Sequence, residues 1–354
     1  MSDILITALS IFVAFLGLSI LVLVHELGHF TAAKTSKVGV KEFSIGFGKK
    51  IWGFKKGETE YKLSAIPLGG YVKLVGLDDE DQSERSYTSK SKLTRMKILA
   101  GGVVFNFLFA IIVFTLCNMH GMKQLKPTIN VAKDMPASLV LKDGDEISKV
   151  NGVGVSTWPE FSEELSRSKG EPIKFVVLRN GQELEVVVKP VKVEAEDEFG
   201  GKIEKWVIGV GPTGDIITTP GLPAGKAFKK SAELSWKAYS TTYKFIGKLF
   251  VKEAKAEKGL GGPVLIMTFL TGAVKDGFFS FFSFLAVISL MLGIMNSLPI
   301  PILDGGHMMF LGVEAIRGKP LKKKTERFIQ TVFFYLLILL MAFATYLDIG
   351  RLWP

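Results

Sequence analysis

The sequence predicts a polytopic α-helical membrane protein with four transmembrane helices, a membrane-associated β-sheet or hairpin region after the first helix, and one inserted extracytoplasmic β-rich α+β domain. Four apolar runs reach the ~20 residues that a helix needs to cross a bilayer. Between the second and third runs lies a long polar stretch with the alternating pattern and Asn-Gly turns of a small β domain. A hydrophobic content of 48% agrees with a membrane protein.

These runs divide the chain into eight segments. They are transmembrane helix 1 (1–34), a cytoplasmic-side, membrane-associated β region with a connector (35–96), transmembrane helix 2 (97–120), the inserted domain (121–192), a linker with amphipathic extracytoplasmic helices (193–277), transmembrane helix 3 (278–298), a cytoplasmic loop with a Leu-Asp-Gly motif (299–327), and transmembrane helix 4 with the C-terminus (328–354). The first run has no basic start and is longer than the apolar part of a signal peptide, so we expect a span there.

The basic residues predict the orientation of the spans. Lys and Arg are concentrated between runs one and two and between runs three and four, which the positive-inside rule assigns to the cytoplasmic side. The inserted domain and both chain ends then lie outside the cytoplasm. The net charge of +10 is largely carried next to the spans, so we expect the lipid bilayer as a partner and no nucleic acid.

The end of the first run carries a metal-binding motif. His25, Glu26 and His29 read His-Glu-x-x-His, and helical spacing puts the two histidines on one face. Both can therefore bind one metal ion, with Glu26 beside it as a general base. Such a motif also occurs by chance, but ionisable side chains in an apolar span are costly and are usually functional. The motif thus predicts a catalytic metal site.

A catalytic zinc ion usually has three protein ligands, so one more residue is needed. The chain has a single cysteine, Cys117, in an apolar run, and only two further histidines, His120 and His307. His120 is expected at the opposite membrane face from the motif. The segment after the third run offers Asp304 and His307, and the residues alone leave both open as the third ligand.

The segment from residue 40 to residue 75 has strand and hairpin signals with glycine punctuation. The simplest interpretation is a small cytoplasmic sheet. The more specific one is a sheet that reaches toward the metal and offers an unpaired edge, which can hold an extended peptide by main-chain hydrogen bonds. The candidate substrate-binding residues of this edge are Gly70, Tyr71, Val72, Lys73 and Leu74.

The inserted domain has the pattern of short strands joined by tight turns. It resembles a PDZ domain of the membrane-protease type, and such domains bind peptides by strand addition. The alternative is a small β domain without a ligand, and only one copy is visible. Its signals are the Asn151-Gly152 and Asn180-Gly181 turns, a helix at 158–165 and strands at 173–178 and 184–188.

Two further segments have helical signals. Residues 226–256 carry apolar side chains at helical spacing among many lysines, so they lie along the outer membrane surface or pack on the inserted domain. Residues 264–273 are too short to span and are expected to be interfacial or re-entrant.

Together these motifs resemble the site-2 protease family of intramembrane zinc metalloproteases. The residues that carry the resemblance are His25-Glu26-Leu27-Gly28-His29, Asn296-x-x-Pro299-x-Pro301-x-Leu303-Asp304-Gly305-Gly306, the glycine-rich strand region and the PDZ-like insertion. The layout is similar to bacterial RseP-type regulator of sigma-E proteases, although the best-known of these carry two tandem PDZ domains. The resemblance implies one Zn²⁺ per chain held by His25, His29 and Asp304, with Glu26 as the base.

The resemblance also implies a function and a location. It implies that Asn296 lies near the substrate and donates to the oxyanion or holds extended backbone, the alternative being a helix-packing or C-cap asparagine. The implied activity is cleavage of single-span membrane proteins, such as anti-sigma factors or remnant signal peptides, within or near the bilayer. The implied location is the bacterial inner membrane, with the active-site motifs toward the cytoplasm and the PDZ domain periplasmic. The competing interpretations are a non-catalytic PDZ membrane adaptor and a zinc-dependent transporter.

Overall fold

The structure is a computed structural model that describes residues 2–77, 81–196, 201–251 and 261–352. Residues 1, 78–80, 197–200, 252–260 and 353–354 lie outside it, and with them the corresponding parts of the predicted first helix, connector, linker and C-terminal segment. The chain divides into two compact units. The bundle unit comprises Met1–Cys117, Ala224–Tyr243 and Leu260–Pro354, and the inserted unit comprises Asn118–Pro223 and Lys244–Gly259.

Four helices in the described part of the chain are long and apolar enough to cross a membrane, which confirms the predicted fold class. They are α1 (Ser2–Thr35), α2 (Lys92–His120), α6 (Phe278–Ser297) and α8 (Lys323–Leu352). Helices α2 and α8 begin several residues before the predicted spans. Their first turns contain Lys and Arg, which favour a helix but interrupt the apolar run that the sequence argument used.

Two long strands follow α1, namely β1 (Val40–Lys56) and β2 (Thr59–Leu74). Each folds back on itself, so Phe43 lies opposite Val72 on one side and opposite Tyr61 on the other. Gly46 and Gly48, with φ of +88° and +84°, allow β1 to turn where a side chain would be strained. Residues 70–74 therefore form an outer strand of the sheet.

Two further helices of the bundle unit were not fully expected from the sequence. Helix α5 (Pro263–Lys275) packs its buried Leu270 with Ala14 and Leu21 of α1 and with Leu285 of α6. Helix α7 (Asp304–Arg317) occupies much of the segment predicted as a cytoplasmic loop, so that prediction was wrong for this part. The glycines of the Leu-Asp-Gly motif lower the helix propensity of this segment, so the sequence does not predict the helix.

The inserted unit contains four antiparallel strands, β5 (Glu146–Val150), β6 (Val153–Gly154), β7 (Ile173–Arg179) and β8 (Gln182–Val188). They form one sheet in the order β6-β5-β7-β8, with helix α3 (Trp158–Ser166) in the connection between β6 and β7. Its core includes Phe161 and Phe175, both fully buried. The predicted turns are confirmed, since Asn151 and Asn180 have φ of 49° and 51° and each is followed by a glycine with positive φ.

The predicted linker after residue 192 was wrong for its first part, which contains paired strands. A hairpin forms from β9 (Val191–Glu196) and β10 (Lys202–Val207). The three-residue strands β11 (Val210–Pro212) and β12 (Ile216–Thr218) then return to pair with β4 (Ile129–Val131) and β3 (Lys123–Leu125). Strands this short show no usable alternation in sequence, because their partners lie far away along the chain.

Helix α4 (Ala224–Phe250) follows, and its residues up to Tyr243 belong to the bundle unit. Within that unit, the Tyr239 ring packs edge-on against Phe107 of α2, and the Tyr243 hydroxyl lies 2.9 Å from the Ser297 hydroxyl of α6. The first part of the predicted amphipathic helix thus packs on membrane helices. A short 3₁₀ turn at Pro136–Leu139 completes the described elements.

Candidate metal centre

Two helices bring three potential ligands to one point. The Nε2 atoms of His25 and His29, one turn apart on α1, lie 3.2 Å from each other. Asp304 is the first residue of α7, and its Oδ2 lies 3.2 Å from His25 Nε2 and 3.3 Å from His29 Nε2. The three atoms form a nearly equilateral triangle.

The triangle has the size and chemistry of a zinc site. Zinc binds imidazole nitrogen and carboxylate oxygen at ~2.0–2.1 Å, and in a tetrahedral site neighbouring ligand atoms are then ~3.3 Å apart. Asp304 Oδ2 is buried and has no hydrogen-bond partner among the described residues. Leaving such an atom unsatisfied is costly, and a cation between the carboxylate and the two imidazoles removes that cost. The residues therefore fit the metal.

The other ring nitrogens of the two histidines face groups on α2. His29 Nδ1 lies 2.9 Å from the backbone carbonyl of Ile98 and donates its proton there, which leaves the Nε2 lone pair facing the triangle. His25 Nδ1 lies 3.1 Å from Nδ2 of Asn106, a fully buried side chain in the middle of the span. Sequence reasoning missed Asn106, although an asparagine inside an apolar run was a usable signal.

Glycines allow α1 and α2 to approach closely enough for these contacts. Gly28 and Gly101 face each other, and a Cβ at either would collide with the backbone of the other. A Cβ at Gly102 would overlap His29 Nε2 and lie 2.6 Å from His25 Cε1. The Gly101-Gly102 pair thus makes room for the imidazoles, and it too was missed by sequence reasoning.

A cavity of about 610 Å³ opens beside the three ligands. Glu26 lines it together with the outer strand, and a Cβ at Gly70 would lie 3.0 Å from Glu26 Cγ. The strand pairs with residues 40–45 on one side, and none of the residues that the structure describes pairs with its other side. The other lining residues include the charged or polar side chains of Arg95, His307, Glu314, Lys323 and Glu326, together with apolar side chains such as Phe310 and Leu311.

The outer strand is held by a small polar network. Glu42 accepts hydrogen bonds from the Tyr71 hydroxyl at 2.9 Å and from Lys62 Nζ at 2.7 Å. The Lys62 ammonium and the Tyr71 hydroxyl hold the pKa of Glu42 below its ordinary value, against the opposing effect of partial burial. Tyr71 also stacks on Phe47, with ring centroids 6.2 Å apart. These contacts fix the strand beside Glu26.

The structure brings most of the predicted site residues together. His25, Glu26, His29 and Asp304 line the cavity with Gly70, Tyr71, Val72 and Leu74. Lys73 does not line it, and its Nζ lies 3.5 Å from Glu42 Oε1. Asn296 does not line it either and is half-buried in the last turn of α6.

His307, the alternative third ligand, lines the cavity but lies outside the ligand triangle. Its Nδ1 is 3.9 Å from Glu326 Oε1 and its ring is edge-on to Phe310. Among the described residues, the cluster able to hold a metal ion is His25, His29 and Asp304. The geometry therefore favours Asp304 over His307.

A chain with four helices able to span a membrane, and with two histidines, an aspartate and an adjacent glutamate beside one cavity, has the parts of a membrane metallopeptidase. Comparison with known proteins gives the family. The model of peptidase family M50 matches residues 13–340. The "Putative zinc metalloprotease Cj1068" of Campylobacter jejuni is 38% identical, over 95% of this chain and 92% of its own length. The chain therefore belongs to peptidase family M50, the site-2 protease family, and this membership confirms the predicted zinc cofactor.

A third comparison bears on the inserted unit. The "Putative zinc metalloprotease PM1991" of Pasteurella multocida is 32% identical over 435 aligned positions, covering 95% of this chain and 97% of its own length. Because 95% of 354 residues fills only about 336 of those positions, this relative has about 100 residues without a counterpart here. That difference is the size of one further small domain.

A solved PDZ domain, that of the SdrC-like protein from Listeria monocytogenes, resembles part of the chain. It covers 25% of this chain and 87% of its own length, at 22% identity and a TM-score of 0.21. The name PDZ-like for the inserted unit follows its sequence pattern.

Proposed function

We propose that this metalloprotease cleaves single-span membrane proteins within or near the bilayer. One observation carries the proposal: a single cavity joins the ligand triangle, Glu26 and the open edge of an outer strand. A soluble peptidase does not need its ligands on membrane-spanning helices, whereas here α1 carries both histidines and the glutamate. The substrate is therefore expected to reach the site from the membrane.

We assign His25, His29 and Asp304 as the ligands of one Zn²⁺ per chain, in keeping with their spacing and the orphaned Oδ2. Bound zinc supplies Lewis acidity that polarises a water molecule and the scissile carbonyl. Glu26 follows His25 directly on α1 and lines the cavity next to Gly70. We assign it as the general base that takes the proton of the attacking water and passes it to the leaving nitrogen.

The outer strand, residues 70–74, is the candidate substrate-holding element. A transmembrane helix satisfies its own backbone hydrogen bonds, so its scissile peptide has to be extended before it can be attacked. The open strand edge offers main-chain groups that can take over those bonds. A direct role of Asn296 requires the last turn of α6 to move toward the substrate, because its side chain does not line the cavity.

The topology and substrates follow from sequence arguments. The positive-inside rule supports a cytoplasmic-side active site and an extracytoplasmic PDZ-like unit in a bacterial inner membrane. Anti-sigma factors and remnant signal peptides are single-span chains of the required kind, and the inserted unit is suited to binding their external tails by strand addition.

Cleavage of a model single-span substrate in liposomes tests the proposal. The unaltered chain should release two fragments, and Glu26→Gln should lower the rate ~10²–10⁴-fold while retaining zinc. Glu84→Gln is the matched control, because it makes the same change of charge at an exposed residue that does not line the cavity, and it should cleave at the rate of the unaltered chain. Equal rates for the unaltered chain and Glu26→Gln would reject the role of Glu26. Absence of cleavage by both, across a panel of substrates, would instead favour a membrane adaptor.

A further inference from the structure

The side chain of Asn106 is an amide buried without exposure in the middle of α2. Its Nδ2 lies 3.1 Å from His25 Nδ1, and its Oδ1 is buried with no hydrogen-bond partner within the described ranges. A buried amide with an unused acceptor is costly and is retained only where something requires it. The ring of His25 is the polar group it faces.

Helix α6 holds Asn106 in this place. The Ser289 hydroxyl donates to the Asn106 backbone carbonyl at 3.1 Å, and a Cβ at Gly293 would lie 3.3 Å from Asn106 Cβ. The absence of a side chain at Gly293 lets the two helices approach. Helix α6 thus contacts the backbone and Cβ of Asn106, while the side-chain amide points to His25 on α1.

The ligand triangle determines which proton His25 carries. Its Nε2 faces Asp304 Oδ2 and His29 Nε2, so ligation requires a free lone pair on Nε2 and places the ring proton on Nδ1. A rotation of the Asn106 amide by half a turn exchanges Nδ2 and Oδ1 without moving the backbone. Oδ1 then accepts the proton of Nδ1, as the Ile98 carbonyl does for His29.

We propose that Asn106 is a positioning residue of the metal centre. Its Oδ1 accepts from His25 Nδ1, selects the tautomer with a free Nε2 and fixes the orientation of the ring. The inference rests on the proposed function, since it takes His25 to be a metal ligand. It adds that the two histidines have different outer partners: a backbone carbonyl that no substitution removes for His29, and a replaceable side chain for His25.

Zinc affinity, measured by chelator competition on the purified full-length chain in detergent, tests the inference independently of proteolysis. Asn106→Leu keeps the number and branching of the side-chain heavy atoms and removes the acceptor, so it should bind zinc about 10–100-fold more weakly. Asn106→Asp keeps an acceptor and should stay within a few-fold of the unaltered chain. Thr115→Val on the same helix is the matched control, because its hydroxyl donates to the Ile111 carbonyl away from the metal centre, and it should bind zinc normally.

A second readout distinguishes a changed orientation of the His25 ring from a general loss of folded structure. The visible spectrum of the Co²⁺-loaded chain should change in Asn106→Leu, whose His25 ring is no longer fixed, and should not change in Thr115→Val. Where Asn106→Leu does not fold, Asn106→Ala removes the acceptor without adding bulk, and the same loss of affinity is expected.

Normal zinc affinity in the folded Leu or Ala variant would overturn the inference, as would an Asp variant as weak as the Leu variant. Failure of the underlying proposal has a different signature: His25→Ala and Asp304→Ala would then bind zinc as tightly as the unaltered chain.

Discussion

The bundle unit and the inserted unit each bury a carboxylate, and the two carboxylates differ in their hydrogen bonds. In the inserted unit, the side chain of Asp145 is 1% exposed and accepts from Arg179 Nε at 2.8 Å, Arg179 Nη2 at 2.7 Å and the Lys142 amide at 2.9 Å. In the bundle unit, Asp304 keeps a buried oxygen without any hydrogen-bond partner in the described structure. A satisfied carboxylate stabilises a fold, whereas an orphaned one among imidazoles indicates a missing ligand.

Asp348 shows that burial in a membrane helix does not by itself leave a carboxylate without hydrogen bonds. It lies on the membrane helix α8 with no exposure, yet its two oxygens accept from the Gly262 amide at 3.0 Å and the Leu265 amide at 2.9 Å. It thereby caps the first turn of α5, whose amides have no partner within the helix. Burial alone thus does not mark a functional carboxylate, and the state of its hydrogen bonds does.

Replacement of the two carboxylates is the strongest test of this contrast. Asp304→Asn should lose zinc by more than the about 10–100-fold expected for an outer partner, and should lose cleavage with it. Without metal, its thermal unfolding midpoint should fall by little, because Oδ2 has no hydrogen-bond partner among the described residues and the amide can keep the 3.2–3.3 Å contacts with the two imidazoles. Zinc titration and thermal unfolding of the metal-free chain provide the two readouts. A metal-free Asp304→Asn that unfolds much more easily would make Asp304 a structural residue like Asp145.

Gly102→Ala tests the space around the imidazoles and should have the next largest effect. The added methyl would overlap His29 Nε2, and overpacking of this kind costs ~1–3 kcal/mol, or about 5- to 150-fold if the cost falls on zinc affinity. Gly272→Ala on α5 is the matched control, since a Cβ there meets nothing within 4 Å. Equal zinc affinities for the two variants would show that the helices yield easily, and that the glycine pair does not determine the geometry.

The parts of the molecule that local spacing encodes could be predicted from the sequence. His25, Glu26 and His29 are four residues apart at most, and the Asn-Gly turns are local, so both could be predicted from spacing. Asp304 needed a resemblance to be chosen over His307, since only packing of α7 against α1 brings it to the histidines.

Asn106, Gly102 and the strands β11 and β12 could not be predicted in the same way. Their roles depend on partners far away along the chain, namely His25 for Asn106 and strand β4 for β11. No local pattern encodes such pairs, because periodicity reports which face a residue lies on and not what that face meets.

Asp145→Asn is expected to have a smaller effect, confined to stability. The neutral amide loses the charge-assisted pair with Arg179 and should lower the free energy of unfolding by about 2 kcal/mol, since Arg179 stays partly in water. Urea unfolding of the chain in detergent measures this loss. Zinc affinity should not change, and a drop in zinc affinity as large as that of Asp304→Asn would break the division between a structural and a ligand carboxylate.

The smallest effect expected is a pH dependence of the inserted unit. Burial acts to raise the pKa of Asp145, but the hydrogen bonds from Arg179 outweigh it and hold the folded pKa below the ordinary value. The stabilisation is therefore complete above the unfolded pKa of ~3.9 and is lost as the pH falls through the folded value. Below pH ~4 the free energy of unfolding should fall more steeply in the unaltered chain than in Asp145→Asn, by up to ~1.4 kcal/mol per pH unit for one proton. Urea unfolding at pH 3 to 6 measures the difference between the two chains.

Parallel pH profiles would show that the Asp145–Arg179 pair contributes nothing by its charge, leaving Asp145 as a neutral hydrogen-bond acceptor in the folded unit.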